Sequence, residues 1–481
     1  MKVNMLIESQ EVATTDYDGI QNPGKLNQLV GYVAKGTANH VDLAVKAAHR
    51  AFLKWREISL EERISLLLTS TEKIEEKMEE IATITAEENG MLLNRTKDEI
   101  HLGLADVRLL ADLANSAFEV DYHEDDTGWV RVEKKPMGVV GCIVPWNAPL
   151  ILTMQKITPI ILAGNTVVVK PSPTASMGVT LLLKTMATVF PAGVINVVLG
   201  DGEVGSALTS HPHVRKISFT GGGPTATMIM KSASETLKGI HFELGGNDPA
   251  IVLEDADLHE VAPKIVEAAF RRSGQFCFAI KRVYVPRAMY EQFYELVCNL
   301  TDNYQIGYQL DEKTTMGPVN NEQQYRKITE LIESLESSGA NLVKLGKKLE
   351  PENWENGYYI QPVVVRDIAP DAEVVTCEQF GPVLPLVPYE TEAEVIQMAN
   401  ATEFGLGSSV WSSNSKHAAE VASKIEAGMT FINGHGQTPL GSKYMPFGGI
   451  KQSGIGREKT IRVFDEFIEY HGINCHGGLQ G

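Results

Sequence analysis

Three residues of this 481-residue chain could together carry out acyl-transfer chemistry. Cys277, in a segment of small and aromatic residues at 274–279, supplies a thiol that could act as the nucleophile. Glu243, in an apolar stretch followed by glycines, supplies a carboxylate that could act as the base. Asn147 precedes Ala148-Pro149, and an amide held in such an extended backbone could donate a hydrogen bond to a developing oxyanion. Together they predict covalent chemistry at a carbonyl group.

Each of these residues also has a simpler interpretation when it is taken alone. An isolated cysteine is more often a small buried hydrophobic residue than a nucleophile. A carboxylate such as Glu243 in apolar surroundings could belong to a buried ion pair, and Asn147 could be an ordinary turn residue. The hypothesis of an active site therefore depends on secondary-structure elements that bring the three residues together.

Predicted strands and helices alternate from residue 138 onwards. The first series contains strands at 138–144, 166–170, 194–199 and 214–220 and helices at 150–162, 177–189 and 225–238. The second contains strands at 250–253, 282–285, 362–365, 410–411 and 430–432 and helices at 258–271, 288–301, 323–338, 391–399 and 416–426. This alternation predicts an α/β fold with parallel sheets covered on both faces, and we place a domain boundary just after Glu243.

Further elements are predicted outside these two series. Residues 128–135 alternate between polar and apolar and predict a half-exposed strand, and residues 463–473 also predict a strand. The second strand could pair with the first or with a partner subunit. Amphipathic helices are predicted at 40–58, 60–89 and 101–118.

Ligands of parallel α/β sheets bind at the carboxyl ends of the strands, and three segments there suit a dinucleotide. Residues 200–205 match GxGxxG between a strand and a helix, although the acidic residue expected about 20 positions later is absent. Lys170 ends a strand, and it could bind ribose or phosphate groups or simply be solvated. Gly221, Gly222 and Gly223 precede a helix, where they could let an anion approach the backbone or form a plain turn.

Composition excludes several classes of protein. With a net charge of −18, the chain lacks the clustered basic residues of a general nucleic-acid-binding surface. No run of about 18 apolar residues predicts a membrane span, and the N-terminus shows no secretory signal. The five cysteines are scattered without a CxxC motif or metal-ligand spacing, which favours the reducing cytosol and predicts no metal site.

Ordered motifs along nearly the whole chain resemble those of the aldehyde dehydrogenase superfamily. They are Pro145-Trp146-Asn147, Lys170-Pro171-Ser172, Phe219-Thr220-Gly221, Glu243-Leu244-Gly245-Gly246, Gly274-Gln275-Phe276-Cys277, Glu378-Gln379-Phe380-Gly381-Pro382 and Pro446-Phe447-Gly448-Gly449, the last followed by Lys451, Ser453, Gly454 and Gly456-Arg457-Glu458. The resemblance implies an NAD(P)-dependent oxidoreductase that converts an aldehyde into the carboxylic acid.

The resemblance also implies a role for each catalytic residue. Cys277 would attack the aldehyde to give a thiohemiacetal, whose oxyanion would accept hydrogen bonds from the Asn147 amide and the Cys277 backbone N–H. Hydride transfer would give a thioester, which water activated by Glu243 would hydrolyse. Lys156 and Glu458 fall at family positions that are linked to proton movement near the base.

The family architecture implies two Rossmann-like domains with open parallel sheets and a small oligomerisation sheet. Residues 1–117 and 137–243 would form the nucleotide-binding domain, and residues 244–460 the catalytic domain. Segments 118–136 and 461–481 would form the oligomerisation sheet. A homodimer or homotetramer is the usual assembly in the family.

The family motifs assign a set of residues to the binding of NAD or NADP. These are Val144, Pro145, Trp146, Lys170, Ser172, Pro173, Gly202, Thr220, Gly221, Gly222, Leu244, Gly245, Glu378 and Phe380. Glu378 would hold the nicotinamide ribose, and Phe380 would pack at the nicotinamide end. Pro173 stands where many NAD-preferring members carry a glutamate, so NADP stays open while family frequency favours NAD. Gly222-Gly223-Pro224 replaces a common Ser-Thr-Glu, which would loosen contacts on the adenine side.

Substrate-tunnel positions of the family fall on a second set of residues. These are Ala148, Leu152, Gln155, Phe276, Phe278, His435 and Phe447. His435 could equally be a surface residue of its loop. None of these positions carries an arginine that would indicate a carboxylate-bearing semialdehyde, and we expect a medium-sized aliphatic or aromatic aldehyde.

Two rival functions stay open at this point. A CoA-acylating aldehyde dehydrogenase would transfer the acyl group to CoA, but such enzymes generally lack the base that Glu243 supplies. A non-catalytic family member would usually show a changed nucleophile or amide donor, and Cys277 and Asn147 are both present.

Overall fold

Helices and strands alternate through most of residues 1–477, the part of the chain that the computed structural model describes. Its helices are α1 (Ala38–Trp55), α2 (Leu60–Glu76), α3 (Met78–Asn89), α4 (Leu93–Ala117), α5 (Pro149–Leu162), α6 (Ser176–Ala187), α7 (Gly202–Ser210), α8 (Gly223–Ser234), α9 (Leu258–Phe270), α10 (Tyr290–Thr301), α11 (Glu322–Ser337), α12 (Glu373–Thr376), α13 (Glu392–Asn400) and α14 (Ser415–Ala422). Its strands are β1 (Lys2–Val3), β2 (Met5–Ile7), β3 (Gln10–Val12), β4 (Tyr17–Asn22), β5 (Lys25–Ala34), β6 (Asp121–Asp125), β7 (Gly128–Pro136), β8 (Val139–Ile143), β9 (Thr166–Lys170), β10 (Ile195–Val197), β11 (Val214–Thr220), β12 (Gly239–Glu243), β13 (Asp248–Val252), β14 (Ile280–Pro286), β15 (Gln305–Ile306), β16 (Asn341–Lys344), β17 (Lys347–Lys348), β18 (Val363–Arg366), β19 (Val383–Tyr389), β20 (Gly407–Trp411), β21 (Met429–Ile432), β22 (Gly454–Ile455) and β23 (Ile468–His476).

The first large sheet has eight strands in the order β22-β12-β11-β8-β9-β10-β2-β3. Strands β12, β11, β8, β9 and β10 are parallel, and β22, β2 and β3 are antiparallel additions at the two edges. Helices α1, α5, α6, α7 and α8 pack against the parallel strands. The chain order reverses beside β8, which has β9 on one side and β11 on the other, and ligands of such sheets bind at this switch point.

The second large sheet has seven strands in the order β16-β18-β19-β14-β13-β20-β21. All are parallel except β16, which pairs antiparallel with β18. Successive residues of β13 point to opposite faces, since Ala250 and Val252 belong to one apolar core and Ile251 to another. The short loop between Glu243 of β12 and Asp248 of β13 joins the two sheets.

A small antiparallel sheet has the order β23-β7-β6. The predicted strand at 128–135 is confirmed as β7, and β23 pairs with it along its whole length, from Ile468 opposite Pro136 to His476 opposite Gly128. The prediction that this last strand begins at 463 is wrong. Residues 461–467 form a 3₁₀ helix, because apolar side chains at 463, 464 and 467 match a helical turn and are buried. The last four residues of the predicted oligomerisation segment, 478–481, lie outside the described residues.

The N-terminal part of the chain departs from the prediction in three ways. The predicted helix at 60–89 is interrupted at Lys77, which ends α2 with φ −110° and ψ 10°. Helix α4 begins at Leu93 instead of 101, because its buried face includes the polar residues Thr96 and Glu99, which weaken the apolar pattern. Strands β1 to β5 were not predicted, and further along the chain β12, which ends at Glu243, was not predicted either.

Residues 1–477 contain neither a membrane-spanning helix nor a cluster of metal ligands. Among the helices of this range, none has the length and apolar character that a bilayer span requires. In the same range, no three His, Cys, Asp or Glu side chains cluster in a way that could bind a metal ion.

Candidate active site

Cys277 lies in the loop between α9 and β14. The loop starts with Arg272 and Ser273 in the left-handed region, at φ 54° and 56°, a strained backbone for residues with side chains. The Cys277 side chain is half-buried and packs against an apolar cluster that includes Phe447. Burial raises the pKa of the thiol, and nearby carboxylates, Glu243 first among them, raise it further. The thiol is therefore protonated at neutral pH and requires a base before it can attack.

Glu243 ends β12 at the carboxyl edge of the first sheet. Its side chain is buried, and neither carboxylate oxygen has a hydrogen-bond partner among the described residues. Burial raises the pKa of Glu243 well above its ordinary value, and the neighbouring Glu458 carboxylate raises it further. Gly448 leaves the space for this group, since it has a φ of 149° and a Cβ there would lie 2.8 Å from Glu243 Oε1. A buried carboxyl group without partners is suited to exchanging protons.

Asn147 faces the cysteine loop from the segment between β8 and α5. Its side chain is buried, and Nδ2 donates a hydrogen bond to the Gln275 carbonyl at 3.2 Å, two residues before Cys277. The amide donor and the thiol are therefore held in adjoining segments. An oxyanion hole requires an amide donor near the nucleophile, and Asn147 is a candidate for that role.

A buried ion pair that the sequence analysis missed supports Asn147. Arg272 donates through Nη1 to the Asn147 carbonyl at 2.6 Å and through Nη2 to Glu99 Oε2 at 3.0 Å. The other oxygen of Glu99 accepts hydrogen bonds from the Leu150 and Ile151 N–H groups at the start of α5, at 2.8 and 3.0 Å. One carboxylate thus ties α4 to α5 and to the cysteine loop. One feature of the sequence could have revealed this ion pair. Glu99 lies on the apolar stripe of α4, where a glutamate needs a partner.

Lys156 and Glu458 form a second buried ion pair, 2.6 Å from Nζ to Oε1, next to Glu243. Burial by itself would lower the pKa of Lys156, but the Glu458 carboxylate raises it above its ordinary value. The second oxygen of Glu458, Oε2, is buried and has no partner among the described residues. The resemblance linked these two residues to proton movement, and the structure places them together.

The predicted cofactor residues of the first sheet lie at the carboxyl ends of neighbouring strands. Val144, Pro145 and Trp146 follow β8, Lys170 ends β9 and Thr220 ends β11. Gly202 is the first residue of α7, and Gly222 is the N-cap of α8, which Gly221 precedes. Ser172 precedes a 3₁₀ turn at residues 173–175, and the exposed Pro173 begins it.

Unsatisfied polar groups mark this edge as suited to a dinucleotide. The ammonium group of Lys170 is buried, contacts only the Pro171 carbonyl at 3.4 Å among the described residues, and has its pKa lowered by burial to about 8. The Thr220 hydroxyl is buried, also without a partner in residues 1–477. A Cβ at Gly202 or Gly223 would meet no atom within 4 Å, so the two helix N-termini are open to an anion.

Two predicted cofactor residues that precede β19 of the second sheet contact the segments that follow β12 and β8. Glu378 accepts a hydrogen bond from the Gly246 N–H at 3.1 Å, next to Gly245 and Leu244. The Phe380 ring stands edge-on to Trp146, with 5.4 Å between the ring centroids. The contact between these two rings brings predicted cofactor residues of both sheets together.

Aromatic rings surround the thiol. Phe278 packs against Phe276 and Phe447, with ring centroids 4.3 and 5.3 Å apart. His435 is buried and donates from Nε2 to the Phe278 carbonyl at 2.6 Å, so the interpretation of His435 as a surface residue is wrong. Its ring instead holds the backbone next to Cys277.

The remaining predicted substrate residues lie on the first turns of α5. Ala148 is its N-cap and is buried, and Leu152 is half-buried. Gln155 is buried and donates to Asp106 Oδ2 at 2.5 Å, so its amide has a partner within the protein. Asp106 is a further polar residue here that the sequence analysis did not single out.

Comparison with known proteins gives the family of this chain. The aldehyde dehydrogenase family matches residues 13–473. The chain belongs to that family. Among its relatives, the alpha-ketoglutaric semialdehyde dehydrogenase of Bacillus subtilis is 34% identical over 437 residues, which cover 90% of this chain and 89% of the relative.

Solved structures agree with the family assignment. Aldehyde dehydrogenase C of Pseudomonas syringae, solved as a mutant with NAD+ and octanal, has a TM-score of 0.92 at 33% identity and covers 98% of this chain and 96% of its own. An NADP-dependent enzyme of E. coli has a TM-score of 0.93 at 32% identity and covers 99% and 98%. These matches confirm the predicted α/β fold and the prediction of an aldehyde-oxidising enzyme.

Proposed function

We propose that this aldehyde dehydrogenase oxidises a medium-sized aldehyde to the carboxylic acid with NAD+, through a thioester on Cys277 that Glu243 helps to hydrolyse. The proposal depends on the buried Glu243 carboxyl group, which has no hydrogen-bond partner among the described residues. The same group raises the pKa of the Cys277 thiol. A group of this kind is poised to take protons from the thiol and from water.

Cys277 and Asn147 serve the first half of the reaction. Loss of the thiol proton lets Sγ bond to the aldehyde carbon, and the Phe278 backbone N–H stabilises the sulfur charge. The carbonyl oxygen becomes an oxyanion that the Asn147 amide and the Cys277 N–H stabilise. NAD+, when bound, supplies the two-electron oxidation as a hydride acceptor.

Glu243 serves the second half. Its carboxylate accepts a proton from a water molecule as the water oxygen bonds to the thioester carbon, and the carbon–sulfur bond then breaks. The products are the carboxylic acid and the Cys277 thiolate. Because burial raises the pKa of Glu243 well above its ordinary value, its carboxylate is a stronger base toward water than an exposed glutamate.

The cofactor fits the residues at the edge of the first sheet. Lys170 would hold the adenosine ribose, Gly202 and Gly222 would allow phosphates to approach two helix N-termini, and Glu378 would accept hydrogen bonds from the nicotinamide ribose. The structural neighbour from Pseudomonas syringae contains NAD+, which supports NAD as the cofactor of this chain. The neighbour from E. coli is NADP-dependent, and Pro173 supplies no carboxylate that would repel a 2′-phosphate, so both cofactors belong in the test.

The proposed substrate pocket is apolar. Phe276, Phe278 and Phe447 would line it, with Ala148, Leu152, Gln155 and His435 around them. The same neighbour was solved with octanal, which supports an aliphatic chain of medium length as the substrate of this enzyme. A CoA-acylating reaction would leave Glu243 without a role.

We also propose the domain division 1–117 with 137–243, 244–460, and 118–136 with 461–481. The β23-β7-β6 sheet exposes Tyr122, Val130 and Tyr470, which supports burial of this surface in a homodimer or homotetramer. The five unpaired cysteines support a reducing compartment, and we propose the cytosol.

Purified enzyme should be assayed for reduced nicotinamide with a panel of aldehydes and either NAD or NADP. We expect medium-chain aliphatic and aromatic aldehydes to give the highest kcat/KM, with NAD preferred. Higher kcat/KM with NADP would contradict the cofactor proposal. Absence of activity with every aldehyde and both cofactors would contradict the proposed reaction.

A further inference from the structure

A line of buried polar side chains continues from the base toward the opposite end of the sheet. His241 and Glu243 are two residues apart on β12 and therefore point to the same face. Lys216 and Ser218 alternate in the same way on β11, and the strand register pairs Ser218 with His241. Apolar residues occupy the positions between them. The polar residues thus form one stripe on an otherwise apolar sheet.

The stripe is hydrogen-bonded to the ion pair beside the base. Lys156 of α5 donates from Nζ to Glu458 at 2.6 Å and to the Ser218 hydroxyl at 3.3 Å. The same hydroxyl lies 3.3 Å from Nδ1 of His241. Ser218 is therefore within hydrogen-bond distance of the lysine on one side and the imidazole on the other. All four side chains are almost completely buried.

His241 lies between Ser218 and Gly456. Its Nε2 is buried and has no partner among the described residues. Gly456 separates the imidazole from Glu466, since a Cβ there would overlap His241 Cδ2 and would lie 2.7 Å from Glu466 Oε1. The Glu466 carboxylate is partly exposed and is paired with Lys216 Nζ at 2.8 Å.

Burial and three nearby cations keep the imidazole neutral. The cations are Lys156, Lys216 and Arg457, and the first two are paired with the carboxylates Glu458 and Glu466. Burial lowers the pKa of His241 well below its ordinary value, and the three cations lower it further. A neutral imidazole has one acceptor nitrogen and one donor nitrogen, and so can pass a proton from one side to the other.

We propose that Ser218 and His241 extend the Lys156–Glu458 pair into a proton path that connects the buried base Glu243 with Glu466 at the surface. The inference rests on the proposed function, because Glu243 gains a proton in each turnover when it activates water. Without a path out, a proton on this buried carboxyl group would block the next cycle.

Each transfer moves one proton and no electrons. Neither oxygen of Glu243 has a partner among the described residues, so its side chain must move toward Glu458 before it gives up its proton. Glu458 then gives a proton to Lys156 as the lysine gives one to the Ser218 oxygen. The Ser218 hydroxyl gives its own proton to Nδ1 of His241. Nε2 of His241, which has no partner among the described residues, would release a proton to Glu466 once the two side chains approach each other past Gly456, and Glu466 would pass it to solvent. The imidazole is left with its proton on Nδ1 and must exchange tautomers before the next transfer.

His241→Gln and Ser218→Ala both remove the proton transfer from Ser218 to His241. Glutamine keeps a polar side chain in the cavity, and alanine deletes only a hydroxyl group, so the second variant keeps the test valid if the first does not fold. Ser408→Ala is the matched control, because Ser408 is also a buried strand serine and bonds to Thr430 in the other sheet. The three variants should be compared with the wild type by stopped-flow and steady-state assays.

We expect both relay variants to retain the initial burst of reduced cofactor while kcat falls at least about 10-fold. Their kcat should rise with buffer concentration and show a larger solvent isotope effect than the wild type. Ser408→Ala should match the wild type. These readouts separate proton transfer from packing, because a structural role for His241 against Phe467 would not create a dependence on buffer.

Normal kcat and buffer independence in folded His241→Gln or Ser218→Ala would overturn the proton path. Loss of the burst in the variants would also overturn it, since it would place the residues in the first half-reaction. A wild-type enzyme with no burst and no turnover would instead contradict the proposed function, so the two failures are distinguishable.

Discussion

Buried carboxylates occur in two regions of this enzyme and differ in their hydrogen bonding. At the N-terminal end of α5, one oxygen of Glu99 accepts hydrogen bonds from backbone N–H groups and the other from Arg272. At the N-terminal end of α6, both oxygens of Glu88 accept hydrogen bonds from backbone N–H groups. Beside the thiol, both oxygens of Glu243 and one of Glu458 have no partner among the described residues. Satisfied groups hold the structure together, whereas unsatisfied groups are free to exchange protons.

The largest effect is expected for Glu243→Gln. The amide cannot accept a proton from water, so turnover should fall by about 10²–10⁴-fold. Thermal stability should stay equal or rise, because the substitution removes a buried carboxylate without partners. Steady-state kinetics and thermal unfolding measure the two effects, and Glu88→Gln is the matched buried control. A strong loss of stability with normal turnover would place Glu243 among the structural carboxylates.

Glu99→Gln should act mainly on stability. It leaves Arg272 buried without its anion, and breaking a buried pair in this way costs about 3–5 kcal/mol. Because Arg272 also bonds to the Asn147 carbonyl, kcat should fall as well. Denaturant unfolding measures the stability. The control is Glu75→Gln, whose ion pair with Arg108 is solvent-exposed and should contribute less than about 1 kcal/mol. Equal effects of the two substitutions would contradict the role assigned to Glu99.

Glu88→Gln should change the pH dependence of stability more than the activity. Burial raises the pKa of Glu88 from 4.5 to about 7, so the folded state binds its proton more tightly than the unfolded state. Protonated Glu88 contributes fully to the free energy of unfolding when the pH is below the pKa that this group has in the unfolded state. The contribution is lost as the pH rises toward 7. The variant has no such group, and its unfolding temperature should fall less than that of the wild type between about pH 5 and pH 8. Parallel pH profiles of the two proteins would contradict this expectation.

The smallest effect is expected for Lys170, a buried cation that forms no ion pair with a carboxylate among the described residues. Burial lowers its pKa to about 8, so the charge is present below that pH and is lost above it. If the charge helps to bind the cofactor, the KM for NAD+ should rise a few-fold as the pH passes about 8. Lys170→Gln should have a high KM that does not vary over this range. A variant with the wild-type pH profile would exclude Lys170 as the cause.

Much of this site was predictable because its residues fall on family motifs or at strand ends. The ordered motifs, which include Asn147, Glu243 and Cys277, identified the enzyme class, and the strands ending at Lys170 and Thr220 were predicted with their observed bounds. The cofactor and catalytic roles of individual residues stay predictions until they are tested. The fold itself is confirmed by its structural neighbours.

Other features depend on tertiary contacts that no local pattern shows. The partners Glu99 and Arg272 are far apart in sequence, and neither lies in a motif. His241 was hidden because β12 was not predicted, and its pairing with Ser218 follows only from the strand register. The apolar residues at 463–467 were assigned to a strand because buried 3₁₀ turns and strands share a high apolar content.

The most direct test of the central claim is the intact mass of Glu243→Gln after mixing with octanal and NAD+. We predict a stoichiometric burst of reduced cofactor, slower than that of the wild type because the amide cannot take the thiol proton, and an acyl adduct on Cys277 that persists because hydrolysis is slow. Cys277→Ala should give neither the burst nor the adduct. Continued turnover of Glu243→Gln at the wild-type rate, or an adduct on a different cysteine, would contradict the account.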